Sequence, residues 1–390
     1  MRIENLDAAL DAAVLAESPG AVALRHALHR EPELSRAEHR TTARLEAALA
    51  DVVCRTRRGP DGVGLIVDLG PEGPRPCLRA DIDALALDEV TGVPFSSCVP
   101  GVMHACGHDV HTAVVLATLR TLAKVAPERP FRFLFQPAEE ATPGGSLDLI
   151  RVGALTDVFA ALTLHCDPTR PLGRVGLQAG PLTAAADVFE VTLRGRGGHG
   201  ARPHETDDLV LAACQLVSQL HHTFDREVDA RVPHSISIGA FHAGGTSANV
   251  LPAQARFAGT LRTPSREVRA RSEATFRRII EATRLAWSIE IELELRKGAP
   301  PVVNDPALVE VLRGACETVL GADAIDPPGL PSMGAEDFAW YLDHVPGVLL
   351  RLGTGLGAPL HSPRFTADDG AIPLAARILA RAMLSLSPTP

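Results

Sequence analysis

"RPCLRADIDAL" (residues 75–85) opens as an apolar run and closes on two carboxylates, Asp81 and Asp83. Near-continuous apolar stretches of this length suit strands covered on both faces. A carboxylate pair directly beyond a buried strand needs a partner, because desolvating an unpaired carboxylate is costly. Three further segments repeat the pattern. Glu139 and Glu140 follow "FRFLFQ" (131–136), and His165 follows "FAALTL" (159–164). His361, in "PLHSPRF" (359–365), comes soon after "GVLLRLG" (347–353). Helical patterns alternate with these runs, as in "HTAVVLATLRTLAKVA" (111–126) and "DPALVEVLRGACETVLG" (305–321). Short apolar strands alternating with helices predict an α/β domain with a largely parallel sheet. Ligands of such sheets bind beyond the C-terminal ends of the strands. All four polar sets fall there, and a shared cation would account for them.

Residues from about 184 to 296 read differently. "DVFEVTLRGRG" (187–197), "HSISIGAFHAG" (234–244), "ARFAGTLRT" (255–263) and "EIELELRKG" (290–298) have strand character. "DLVLAACQLVSQLHHTF" (208–224) and "REVRARSEATFRRIIEATRLAW" (266–287) have helical periodicity. The order β-α-β-β-α-β is the ferredoxin-like pattern. Gly180-Pro181 precedes it and the Gly298–Pro301 cluster follows it, and such clusters mark boundaries. The expectation is a discontinuous catalytic domain, 1–183 with 297–390, interrupted by a smaller domain at 184–296. Near the N-terminus, Pro32 splits the helical pattern of residues 21–51 in two.

Bulk properties exclude several classes. A formal charge of −9 argues against nucleic acid or an anionic membrane as partner. No apolar run approaches the ~18 residues that span a bilayer. "MRIENLDAALDAAVLAESPG" (1–20) carries acidic residues where a secretory signal has basic ones. The seven cysteines are odd in number and lack any C-x-x-C pair, which fits a reducing cytoplasm without a disulfide framework.

"MHACGHDVHTA" (103–113) concentrates three histidines, Cys106 and Asp109. Thiolate, imidazole and carboxylate are the ligand set of zinc and its neighbours. In an extended segment residues two apart point the same way, so Cys106 and His108 can share a site. Adjacent residues such as Glu139 and Glu140 diverge, which suits one ligand and one general base. Other readings stay open on the residues alone. Cys106 beside His104 or His108 is also a nucleophile–base pair, but that leaves the carboxylate pairs unexplained. A structural zinc site favours several cysteines at C-x₂₋₄-C spacing, and none is present. Helix capping and core packing would account for each set singly.

Taken in order, "LRADIDAL", "MHACGHDVHTA", "FQPAEE", "GGHGARPH", "NVLP", "GTLRT", "MGAEDF" and "LHSPRF" resemble the signature of the aminoacylase/carboxypeptidase-type di-metal amidohydrolases. The branch is that of hippurate hydrolase and the indole-acetyl-amino-acid hydrolases, and the resemblance runs from about Arg25 to Ala375. It implies a zinc-exopeptidase-like fold, a mixed α/β sheet flanked by helices, with an inserted ferredoxin-like α+β lid and dimerisation domain. It implies two divalent metals per subunit, zinc, manganese, cobalt or nickel. Cys106 would bridge them, with His108, Glu140, His165 and His361 as further ligands. Glu139 would be the general base, and Asp83 would orient the site. His199 would reach the partner subunit's site and help hold the oxyanion, while Asn249 and Arg262 would bind substrate. The implied reaction is hydrolysis of an N-acyl amino acid by a cytoplasmic homodimer. A dipeptidase or carboxypeptidase using the same site is the alternative, and a non-catalytic binding protein is disfavoured because every implied ligand is present. Three positions depart from the usual pattern: Cys166 stands beside His165, no glycine directly follows Glu140, and Gly200 replaces a commoner alanine or serine.

Overall fold

A computed structural model describes residues 3–388. The chain divides into two compact units. The first runs to Gly180 and resumes over Val303–Gly329 and from Asp337 onward; the second comprises Pro181–Val302 and Leu330–Glu336. The short Leu330–Glu336 segment thus joins the second unit, whereas the sequence reading kept 297–390 together.

In the first unit an eight-stranded mixed sheet is ordered Arg55–Arg58, Leu65–Leu69, Phe131–Gln136, Arg75–Asp81, Val158–Asp167, Gly347–Gly353, Val175–Gly176 and Ile325–Asp326. Its four central strands are parallel. Leu65–Leu69 pairs antiparallel with Phe131–Gln136, and Val175–Gly176 antiparallel with Gly347–Gly353. The period-2 alternation of a strand puts Leu78, Phe133, Leu162 and Leu350 into one core. The helices Ile3–Arg30, His108–Val125, Pro306–Leu320 and Ala371–Ser385 pack into the same core. Phe131, Phe133 and Phe135 are fully buried, and each such side chain contributes about 1.5–3 kcal/mol.

The intervening strand positions are buried too, but they include polar groups. Arg79 lies in mid-strand with no exposed surface. Its Nε donates to Gln136 Oε1 at 2.9 Å, Nη1 to Asp81 Oδ2 at 2.9 Å and Nη2 to Asp337 Oδ1 at 2.7 Å. Gln136 also donates to Asp337, and Tyr341 donates to Gln136 Oε1 at 3.1 Å. A buried charge of this kind is tolerated because its donors meet acceptors.

The second unit has the β-α-β-β-α-β order read from the sequence. Its sheet runs Ser235–Ala243, Gln254–Thr263, Ala185–Arg194, Glu290–Lys297, with every neighbour antiparallel. Helices Leu209–Glu227 and Arg266–Trp287 cover one face around Phe189, Phe257 and Phe276. Among the described residues no helix is long and apolar enough to cross a membrane. All seven cysteines are unpaired.

Candidate active site

The parallel strands of the first unit end together. Asp81 and Gln136 close two of them, His165 lies near the end of a third, and His361 follows the fourth after a loop. Gly107 precedes the His108–Val125 helix in the left-handed region, at φ 86°. A Cβ there would sit 2.6 Å from Cys166 Sγ, so only glycine permits the approach. His108 is the first residue of that helix and is buried.

Hydrogen bonds fix which ring nitrogens are bare. His108 Nδ1 lies 2.9 Å from the Asp83 backbone carbonyl, which only accepts, so Nδ1 carries the proton. In the neutral ring the lone pair is then on Nε2, which is buried and without a hydrogen-bond partner. His165 repeats the arrangement, with Nδ1 2.8 Å from the Cys166 carbonyl and Nε2 3.5 Å from Cys106 Sγ. Backbone acceptors of this kind are how proteins orient metal-binding imidazoles. Asp83 accepts from Ser35 Oγ at 2.7 Å and from the Glu140 N–H at 3.0 Å. It therefore ties His108 to the Glu139–Glu140 turn. His361, at φ 61°, donates its N–H to the Ala105 carbonyl at 2.8 Å and sets Nε2 3.2 Å from Glu140 Oε1.

The donor atoms of Cys106, His108 and His165 lie within 4.8 Å of one another, and so do those of Cys106, Glu140 and His361. Cys106 belongs to both triples. A third triple joins His108, Glu139 and Glu140. Glu139 Oε1 accepts the Asp337 N–H at 3.4 Å. Burial pushes the Cys106 thiol up and the His165 imidazole far down. Burial also opposes a charge on His108, but Asp81, 3.6 Å away, and Cys106 outweigh it and raise that group. The Asp81 charge would equally favour a divalent cation. The donor set, with two imidazoles held at Nδ1 so that Nε2 is the ligating nitrogen, fits a metal pair of the zinc class.

Of the other polar residues in 103–113, Asp109 has partners on another helix, and His104 has no hydrogen-bond partner at either ring nitrogen. Asp109 accepts from Arg25 Nε at 3.1 Å and from His29 Nδ1 at 2.9 Å, which fastens the Ile3–Arg30 helix. His104 is buried, and burial lowers it to about 4, so the ring is neutral.

In the second unit, His199 is exposed and its Nδ1 accepts the Ala201 N–H at 3.1 Å, leaving the proton of the neutral ring on Nε2. The Asn249 carbonyl accepts the Gly200 N–H at 2.8 Å, bringing Asn249 beside His199. Arg262 donates from Nη1 to the Met333 carbonyl at 2.7 Å.

Sequence reasoning missed Ser35, Glu38, Arg79, Gln136 and Asp337. Arg79, a charge inside an apolar run, was the available signal. Glu38 stands at the N-cap of the His39–Ala48 helix but does not cap it. Its Oε1 instead accepts the Ala138 N–H at 2.7 Å, where Ala138 turns at φ 53° ahead of Glu139. Burial, then Asp83, raises Glu38 from 4.5 to about 7. The unfolded chain releases this proton near 4.5 and the folded chain keeps it to about 7. Stability therefore falls as pH rises through that window. Glu38→Gln keeps the acceptor and removes the titration. Urea unfolding of the metal-free chains at pH 5 and pH 8 should show the native protein losing on the order of 1–3 kcal/mol relative to the variant. Parallel pH profiles would refute this.

The fold and the strand-end cluster define a hydrolase-like α/β scaffold with a metal-ligand donor set. The chain belongs to the peptidase family M20/M25/M40, whose pattern it matches over residues 77–385. It is 38% identical over 355 residues to the N-acetyl-L-cysteine deacetylase of Bacillus subtilis, covering 90% of this chain and 84% of that one. A Rhodococcus jostii relative named "Putative glutamate–cysteine ligase 2-3" is 43% identical over 353 residues, which are 89% of this chain. The present chain spans only 44% of that relative's length. Among solved structures, Bacillus subtilis YXEP, described as a dinuclear metal binding peptidase from the M20 family, superposes with TM-score 0.83 at 32% identity. The match covers 95% of this chain and 98% of that one.

Proposed function

We propose that this chain is a metal-dependent amidohydrolase that cleaves N-acyl amino acids, such as N-acetyl or N-benzoyl conjugates, to a carboxylic acid and a free amino acid. The observation that carries the reading is the place of Cys106 in two donor triples at once. A residue so placed suits a thiolate shared by two divalent ions, with His108, Glu140, His165 and His361 completing the ligands. The deacetylase relative supports the substrate class. The peptidase relative supports two metals, and zinc, manganese, cobalt and nickel all suit these donors.

When bound, the metals supply Lewis acidity, which polarises an amide carbonyl and lowers the pKa of water. Glu139 takes the proton of the attacking water and returns it to the departing nitrogen. Asp83 holds the His108 ring and the Glu140 peptide in register. His199 donates from Nε2 to the oxygen that gains charge, contributed from the second copy of a homodimer. Asn249 and Arg262 hold the substrate carboxylate, for which a guanidinium is suited. The domain at 184–296 serves as lid and dimerisation domain. Its Ser235–Ala243 strand is a sheet edge, which suits pairing with a second copy. Unpaired cysteines suit a cytoplasmic protein.

The test is hydrolysis of an N-acyl amino acid panel beside dipeptides, with and without chelator, in native and Cys106→Ala chains. The reading expects chelator-sensitive cleavage of N-acyl amino acids and loss of metal together with activity in the variant. Preferential dipeptide cleavage would point to a peptidase. Full metal retention with lost activity would make Cys106 a nucleophile instead.

A further inference from the structure

His111 is fully buried, and both of its ring nitrogens are committed. Asp81 Oδ1 lies 2.6 Å from Nδ1, and a carboxylate accepts. The Cys166 backbone N–H donates to Nε2 at 2.8 Å, and an amide N–H cannot accept. The ring is therefore the neutral tautomer with its proton on Nδ1. Although donor atoms of His111, Asp81 and His108 lie within 4.8 Å of one another, the His111 lone pair is already taken. The Cys166 N–H lies in the peptide joining His165 to Cys166, and the Cys166 carbonyl, in the next peptide, accepts from His165 Nδ1 at 2.8 Å. That second bond turns His165 Nε2 toward Cys106 Sγ.

We propose that His111 is a positioning residue for His165, acting through the peptide that joins His165 to Cys166 to fix the direction in which His165 presents Nε2. The inference rests on the metal reading of the preceding subsection. Asp81 holds the His111 ring, and Arg79 holds the second Asp81 oxygen. A continuous chain of bonds thus runs from Arg79 through Asp81 and His111 to the peptide that joins His165 to Cys166. Ring orientation by a partner on the non-ligating nitrogen is a general device of metal sites. Here the partner is the carbonyl of the next residue, and His111 holds the peptide that joins His165 to that residue.

The test measures Co²⁺ and Zn²⁺ affinity by chelator competition in the native chain, His111→Gln and His111→Asn. Glutamine reaches the Nε2 position and keeps an acceptor for the Cys166 N–H. Asparagine stops at the Nδ1 position and keeps only the bond to Asp81. The asparagine variant should bind one metal equivalent about 10–100-fold more weakly, the range seen when such supporting partners are lost. The glutamine variant should recover most of the affinity. A purely structural role would weaken both alike.

Nitrogen-15 NMR of the zinc-loaded native chain gives a readout that needs no stable variant beyond the one used for assignment. It should find a protonated Nδ1 and a bare, unmetallated Nε2 at His111. Unchanged affinity in the asparagine variant, equal losses in both variants, or a metal-bound Nε2 would each overturn the inference. A native chain that takes up no metal would sink the metal reading itself. Native uptake with any of those three results sinks the positioning role alone.

Discussion

Glu139→Gln is expected to retain the metal content of the native chain and to lower kcat on N-acyl amino acids by about 10²–10⁴-fold, the usual contribution of a general acid–base group. Glutamine preserves the shape of the side chain and an oxygen to accept the Asp337 N–H, which lies 3.4 Å from Glu139 Oε1. The turn that presents Glu139 and Glu140 is held by other bonds, which the Ala138 and Glu140 N–H groups donate to the Glu38 and Asp83 carboxylates. Only the capacity to take a proton is removed. Metal analysis and steady-state kinetics on the same preparation decide the matter. Near-native kcat would end the assignment as base. Loss of metal would instead make Glu139 a ligand, an outcome its triple with His108 and Glu140 renders concrete.

Arg79→Met is expected to destabilise the first unit by about 3–5 kcal/mol, the cost of breaking a buried ion pair by removing one partner. Methionine fills part of the space but supplies no donor. Asp81 and Asp337 then face each other's surroundings without the guanidinium that bridges them at 2.9 and 2.7 Å. The loss is large against the 5–15 kcal/mol that holds a typical domain together. Urea unfolding of the metal-free chain, with the exposed Arg57→Met as control, measures it. A difference below about 1 kcal/mol, the level of an exposed ion pair, would mean that the network contributes little to stability.

The strand ends were legible because burial and strand period act locally. Four apolar runs, each followed by carboxylate or imidazole, place Asp83, Glu140, His165 and His361 at one sheet edge without knowledge of the pairing. The β-α-β-β-α-β unit was legible for the same reason. What the sequence did not disclose are partners chosen across long separations. Arg79 finds Asp337, 258 positions away, and Glu38 finds Ala138, 100 positions away. Asp109 stands in the first turn of its own helix, yet it clamps Arg25 and His29 of another helix. The helical pattern read from the sequence begins at residue 21, but the Ile3–Arg30 helix extends back through Pro19 and Gly20. Its long packed face in the core overrides the local cost. The left-handed turn at His361 also lacks a local signal, since a non-glycine residue there is stabilised by its surroundings.

The most direct measurement is a metal titration of the chelator-stripped chain, with hydrolysis of an N-acetyl amino acid followed at each addition. The account predicts no hydrolysis in the stripped chain and a rise that levels off at two divalent ions per chain. Full activity in the stripped chain, or none at any metal loading across the N-acyl panel, would contradict it.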